Sequence, residues 1–224
     1  MTFLDAADPW LRWDWTSAHV ELITDDLTQH VELTLIAVGV GALIALPAGV
    51  LVWRTAALRS FVLGLTGVLY TIPSLALFAM LVPFFGLSYL TAEIGLIGYT
   101  LQILVRNTVV GLDSVPADVR EAAAGMGFTA LRRLLRVDLP LALPVIVAGI
   151  RVATVTTIGL VTVTAVIGEG GLGQLILRGL IQDFKTPIVV GSVLSILLAA
   201  LADGGLNGLQ RLLMPWARAR GART

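Results

Sequence analysis

Cysteine is absent from the 224 residues, which removes disulfides, thiolate metal sites and cysteine nucleophiles from consideration. Histidine is scarce: His19 and His30 are the only two, and neither has the partners of a histidine-dependent hydrolytic triad. Lysine occurs once, at Lys185 behind Phe184, so the glycine-lysine-serine/threonine run of a Walker loop cannot be written anywhere in the chain. Charge is low too. Charged residues make up 13% and apolar residues 57%, against about 25% and 45–50% in soluble domains, so water is not the main solvent of this surface. The two signs balance to a formal net charge of zero, which argues against the basic excess of a nucleic-acid binder. Met1 to Asp26 is acidic and tryptophan-rich, with no basic start before a short apolar core; no secretory signal is read there, and insertion is expected to rely on later segments.

What is present is a series of long apolar runs. At 1.5 Å per residue, roughly 20 apolar residues cover the hydrocarbon core of a bilayer. Val31 to Trp53 does so with only Glu32 charged near its start. A second span is read over Ser60 to Val82, kinked at Pro73, and a third over Leu90 to Leu112, with Glu93 and Arg106 near its ends. The fourth runs from Leu141 to Ile167 and the fifth from Pro187 to Leu213. The expected fold is an all-α integral membrane domain of about five transmembrane helices. Its divisions are an external or interfacial segment 1–30, a membrane domain 31–213 with a cytoplasmic loop 113–139, and a tail 214–224.

Arginine sets the orientation. Arg54 and Arg59, then Arg120, Arg132, Arg133 and Arg136, then Arg211, Arg218, Arg220 and Arg223 fall on one side of the spans, and that side is cytoplasmic by the positive-inside bias. The N-terminus is then outside and the C-terminus inside. Trp10, Trp13 and Trp15 precede the first span, while Trp53 and Trp216 lie at inner ends, as indoles at headgroup depth do. Residues 9–27 read equally as a short interfacial helix or an irregular outer tail.

The loop between the third and fourth spans is patterned. Ser114 is placed to cap a helix with Pro116 in its first turn and Asp118 and Glu121 near its positive end. Gly125 and Gly127 stop it. Thr129 is placed to cap a second helix, in which Leu131, Leu134 and Leu135 oppose Arg132, Arg133 and Arg136 until Pro140 opens the fourth span. Glu121-Ala122-Ala123, Gly127 and Leu139-Pro140 resemble, at matching spacing, the EAA loop of permease subunits of binding-protein-dependent ABC importers. The resemblance implies a type I, methionine-importer-like transmembrane domain. It also implies that this loop is the coupling helix seated on a cytoplasmic ABC ATPase subunit, with the small residues Ala122 to Ala124 permitting close approach. The partners implied are two such ATPases, a second permease as homo- or heterodimer, an extracytoplasmic substrate-binding protein and membrane lipid. The location implied is the bacterial cell membrane. Catalytic residues, cofactors and metals are not expected.

Tyr70 to Ala76, Arg106-Asn107-Thr108, Ala148 to Arg151 and Ile167 to Gly173 look like osmoprotectant permeases for glycine betaine, choline, carnitine or proline, a likeness running from His30 to Asp203. Permeases for methionine or other amino acids share the architecture and stay open as an alternative. From another class, an ATP-independent channel or secondary carrier would show internal repeats or paired midplane acids; neither is read here. Nor is a membrane-anchored scaffold favoured, which would not need the spaced glycines of the loop.

Individual residues carry narrower expectations. Gly168-Glu169-Gly170-Gly171-Leu172-Gly173 satisfies a dinucleotide-binding expression, but it follows a membrane span instead of a buried strand; it is read as an outer glycine turn leading into a short helix near Leu175 to Ile181. Arg151 lies about 16 Å into the fourth span, where a charge costs on the order of 3 kcal/mol. Asp203 is at comparable depth, so an Arg151–Asp203 ion pair and snorkelling of Arg151 are the two open readings. Pro73, Tyr70, Thr71 and Ser74, with Asn107, form either a face of the translocation pathway or a packing kink. Tyr70 and Phe78 are candidate π faces for a quaternary ammonium. Gly39, Gly41, Ala45 and Gly49 allow close helix packing. Glu32 and Glu93 are expected at solvated rim positions.

Overall fold

The computed structural model describes residues 9–214; the first eight residues, and the tail with Trp216, Arg218, Arg220 and Arg223, lie outside the described residues. Among those described, every regular element is helical. Helix α1 (Trp13–Ala18) leads into α2 (Val20–Arg54), α3 (Ala56–Thr71), α4 (Ser74–Phe85), α5 (Tyr89–Asp113), α6 (Ala117–Gly125) and α7 (Ala130–Arg133). A π-helical turn, Leu134–Asp138, then runs into α8 (Leu139–Val163), a 3-10 turn (Thr164–Ile167), α9 (Leu172–Gln182) and α10 (Lys185–Leu213).

Four stretches are long and apolar enough to cross a membrane: Val20–Arg54, Tyr89–Asp113, Ala130–Ile167 and Lys185–Leu212. The region read as a second, kinked span is instead broken into the shorter apolar helices α3 and α4. Pro73 is not inside a helix but at the N-cap of α4, with φ −56° and ψ 134°. Its ring disfavours helical geometry at Ile72, and its missing N–H is harmless only where a helix begins. At the other end of the chain's apolar series, α2 starts at Val20, well before Val31, and carries Asp25, Asp26 and His30 within the helix.

The described chain forms two compact units. One comprises residues 9–37, 72–97 and 155–201. Its core is Leu33, Ala37, Phe78, Ala92, Leu96, Val161 and Ile167, and a second cluster joins Ile23 to Leu172, Leu175 and Val190. Phe78 is 1% exposed because Gly95 leaves room for its ring: a Cβ at Gly95 would stand 2.4 Å from a ring carbon. Phe78 is therefore core and offers no π face to a ligand, contrary to the sequence expectation. His30 is fully buried, with Nε2 3.0 Å from the Ile158 carbonyl. The glycine turn brings its backbone against His30, since a Cβ at Gly171 would lie 2.7 Å from the His30 backbone nitrogen.

The other unit comprises residues 38–71, 98–154 and 202–214. Small residues set its helix spacing. Gly41 lies on Thr100, Gly49 on Thr108, and Gly149 on Asn107, each too close for a Cβ; Ala45 is buried between these contacts with Leu104 and Ala153. Gly39 has open space around it. Thr66, Thr108 and Thr154 donate their hydroxyls to carbonyls one turn back, so these three hydroxyls find acceptors within their own helices.

Gly149→Ala places a Cβ 2.4 Å from the Asn107 Cβ and is expected to cost about 1–3 kcal/mol by overpacking. Gly39→Ala, with nothing within 4 Å, serves as the neutral comparison in thermal unfolding of the purified protein in detergent.

Candidate functional site

The residues of loop 113–139 form one continuous piece within the second unit. Helix α6 begins after Pro116, which is its N-cap. Ser114 does not cap it: its hydroxyl donates to the Gly111 carbonyl at 2.7 Å, closing the end of α5 instead. Asp118 in the first turn of α6 complements the helix dipole. The C-terminus is a Schellman turn. Phe128 N–H donates to Ala123 O at 3.1 Å, and Gly127 N–H donates to Ala124 O at 2.9 Å, with Gly127 at φ +78°. This is the left-handed position that favours glycine, and it explains physically why a glycine stands there. Thr129 then caps α7, accepting from Arg132 N–H at 3.4 Å, and the Arg132 guanidinium lies 4.7 Å over the Phe128 ring.

Burial divides the motif. Glu121, Ala122, Ala124 and Gly125 are exposed, while Ala123 is 1% exposed. The small-residue face expected to meet a partner therefore excludes Ala123, which is turned inward. Leu139 and Pro140 are half-buried at the start of α8, where Leu139 packs with Leu112, Val115 and Leu134.

Asp138 holds this piece in place. It is 1% exposed and accepts from Arg120 Nε at 2.9 Å, with Arg133 Nε at 3.5 Å. Arg120 also donates to the Leu112 carbonyl at the end of α5, and its guanidinium sits 5.0 Å over the Trp53 ring of α2. One arginine of α6 thus joins three other elements. Arg59 and Asp113 add a surface ion pair. Asp138 and the inward turn of Arg133 were missed from the sequence; the legible signal was an acid beside the Leu139-Pro140 start of an apolar helix, with arginines nearby. The π-helical turn Leu134–Asp138 is what rotates Asp138 inward, the kind of bulge found where a helix is fitted to a special contact.

Arg151 and Asp203 meet in a two-pronged contact: Nε to Oδ1 and Nη2 to Oδ2, both at 2.9 Å, with Nη1 3.3 Å from Asn207 Oδ1. Tyr70 is 45% exposed and sets its ring edge-on to Tyr99 with centroids 5.8 Å apart. The Thr71 hydroxyl donates to Val68 O at 2.7 Å. Asn107 donates to Ile103 O at 2.8 Å and is pressed against Gly149, so its amide is occupied by its own helix. Ser74 and Pro73 lie in the other unit, at the start of α4.

Residues 37–218 match the family described as binding-protein-dependent transport system inner membrane component. The chain belongs to this family. Relatives include the osmoprotectant import permease protein OsmW of Salmonella typhimurium, 43% identical over 192 residues that cover 84% of this chain and 89% of that one. The carnitine transport permease protein OpuCB of Listeria monocytogenes is 36% identical over 190 residues, 84% and 87% of the two chains. The inward-facing structure of the MetNI methionine ABC transporter aligns with TM-score 0.81 at 23% identity, over 87% of this chain and 97% of that one. The fold is thus that of a type I importer transmembrane domain. This permease subunit is a multi-pass membrane protein and not an enzyme; ATP hydrolysis belongs to a separate subunit.

Two variants of the permease test its internal ties. Arg120→Ala leaves Asp138 buried without its main partner and is expected to cost about 3 kcal/mol. An Arg120→Met/Asp138→Leu double variant is expected to recover most of that, measured as a double-mutant cycle of unfolding free energies. Asp203→Asn is expected to lower stability, and the charge swap Arg151→Asp/Asp203→Arg to restore part of it, read by thermal unfolding in lipid nanodiscs.

Proposed function

We propose that this permease imports a small compatible solute carrying a trimethylammonium group, of the glycine betaine, choline or carnitine class. The support is the concordance of its relatives, which are named for osmoprotectant, carnitine, choline and glycine betaine transport at 34–43% identity. A methionine permease is the weaker reading, because the likeness to MetNI at 23% identity carries the fold and not the substrate.

The exposed face of α6, with Glu121, Ala122 and Gly125, docks in a groove of the ATPase. Closure of the two ATPases pushes on α6. The Arg120–Asp138 tie and the Schellman turn at Gly127 make α6, the π turn and the start of α8 move as one body, so the push reorients the spans between inward- and outward-open states. The basic residues of the second unit face the cytoplasm, the N-terminal segment 1–30 is outside and the tail 214–224 inside. A second permease copy and lipid cover the exposed apolar residues of α10, including Val193, Ile196, Leu197 and Leu201. Tyr70 and Thr71, at the end of α3, border the solute's route; the Asn107 amide is engaged with Ile103. The Arg151–Asp203 pair keeps an intramembrane charge compensated.

The test is reconstitution in proteoliposomes with the ATPase and the binding protein. ATP-dependent uptake of radiolabelled choline or glycine betaine is expected, and uptake without nucleotide at the same rate overturns the reading. Glu121→Lys, an exposed change expected to alter stability by no more than about 0.5 kcal/mol, is expected to abolish co-purification of the ATPase and to stop uptake.

A further inference from the structure

Glu93 is not at a solvated rim. It is 5% exposed, and neither carboxylate oxygen has a close hydrogen-bond partner; the Tyr89 phenol is the donor beside it. Tyr89, one turn earlier on α5, sets its phenol beside Glu93 and within electrostatic range of Glu32 and Glu169. Four side chains from three parts of one unit therefore converge on the same place.

The acid from the glycine turn is fixed there. Glu169 Oε2 accepts from Gln29 Nε2 at 2.7 Å, and Gln29 Oε1 accepts from Gly171 N–H at 2.9 Å. The Thr164 hydroxyl donates to the Glu169 carbonyl at 2.5 Å. Gly168 and Gly171 adopt φ +90° and +48°, and the contact of Gly171 with the His30 backbone keeps the turn from drifting. None of the salt bridges among the described residues involves Glu32, Glu93 or Glu169; Arg178 pairs instead with Asp26, at 3.8 Å.

A buried carboxylate with a single phenol beside it and no cation is a costly group for a protein to hold, and a positive ligand would offset that cost. Its chemistry narrows the choice. A divalent metal needs six or more oxygen ligands at close range, and no cluster of three or more histidines or acids among the described residues could hold one. A quaternary ammonium fits better. It has no N–H to satisfy, it is drawn by carboxylates at longer range, and it rests on an aromatic face such as that of Tyr89. We propose that Glu93, with Tyr89 and the Gln29-held Glu169, forms a station for the trimethylammonium group of the solute inside the permease. This assignment rests on the substrate class put forward above.

The absence of cysteine makes a clean test. In the complete transporter in proteoliposomes, Tyr89→Cys provides the permease's single thiol. It is labelled with a trimethylammonium-bearing and a sulfonate-bearing methanethiosulfonate, and rates are read from the mass of the permease and normalised to a free thiol. The cationic reagent is expected to react at least about tenfold faster, the scale of electrostatic focusing in a charged cleft. Adding Glu93→Gln is expected to remove most of that preference, whereas Glu93→Asp retains it. Choline is expected to slow the cationic reaction more than potassium at equal ionic strength. Equal normalised rates, a preference unmoved by Glu93→Gln, or a thiol that neither reagent reaches would each overturn the station. Because labelling requires no transport, loss of ATP-driven uptake in the wild type alongside a preserved labelling preference would sink the importer reading separately.

Discussion

Asp138 is a carboxylate with 1% of its surface exposed at the foot of an apolar spanning helix, and it is tolerable there only because Arg120 and Arg133 approach it. Removing either sign would leave the other uncompensated in a poor solvent for ions. The consequence reaches beyond stability. Arg120 belongs to α6, Asp138 to the π turn ahead of α8, Trp53 to α2, and the Leu112 carbonyl to α5. The exposed face of α6 is thereby tied to α2, α5 and the start of α8, and the left-handed Gly127 turn denies it an independent hinge. A flexible linker at this place would absorb a push; a stapled helix transmits it.

The same solvent logic orders the remaining polar groups. Threonine hydroxyls inside helices bond back to carbonyls of their own helix. The deepest arginine is met by both oxygens of Asp203 and by Asn207. Gln29 bridges Glu169 to a backbone N–H of the glycine turn. Each of these is satisfied within the chain, whereas both oxygens of Glu93 lack a close hydrogen-bond partner, as do single atoms such as Asp26 Oδ2 and Asp138 Oδ2. Glycines complement the polar pairs: where the threonine and asparagine side chains of α5 must approach another helix, the facing residue is Gly41, Gly49 or Gly149.

Much of this was legible from local pattern. Apolar runs announced the spans, and the spacing of Glu121, Gly127 and Pro140 pointed to the permease family, because each signal resides in one contiguous segment. Misreadings occurred where a residue's role depends on distant neighbours. Ala123 looks identical to Ala122 in the sequence yet lies beneath the turn. Ser114 had the type and position of a cap, but Pro116 took that place and the hydroxyl closed α5. Phe78 resembled a ligand platform until Gly95 was seen to receive it. Pro73 could equally have kinked a helix or begun one, and the chain's geometry at Ile72 decided for the second.

The sequence by itself determined the class of molecule: membrane-embedded, helical, and carrying a patterned loop between apolar runs. These follow from composition and periodicity, which the bilayer reads segment by segment. Only the tertiary structure decided which charges are compensated, since pairing Arg120 with Asp138 or Arg151 with Asp203, and leaving Glu93 without a cation, depends on which helix faces the side chain across the packed interior.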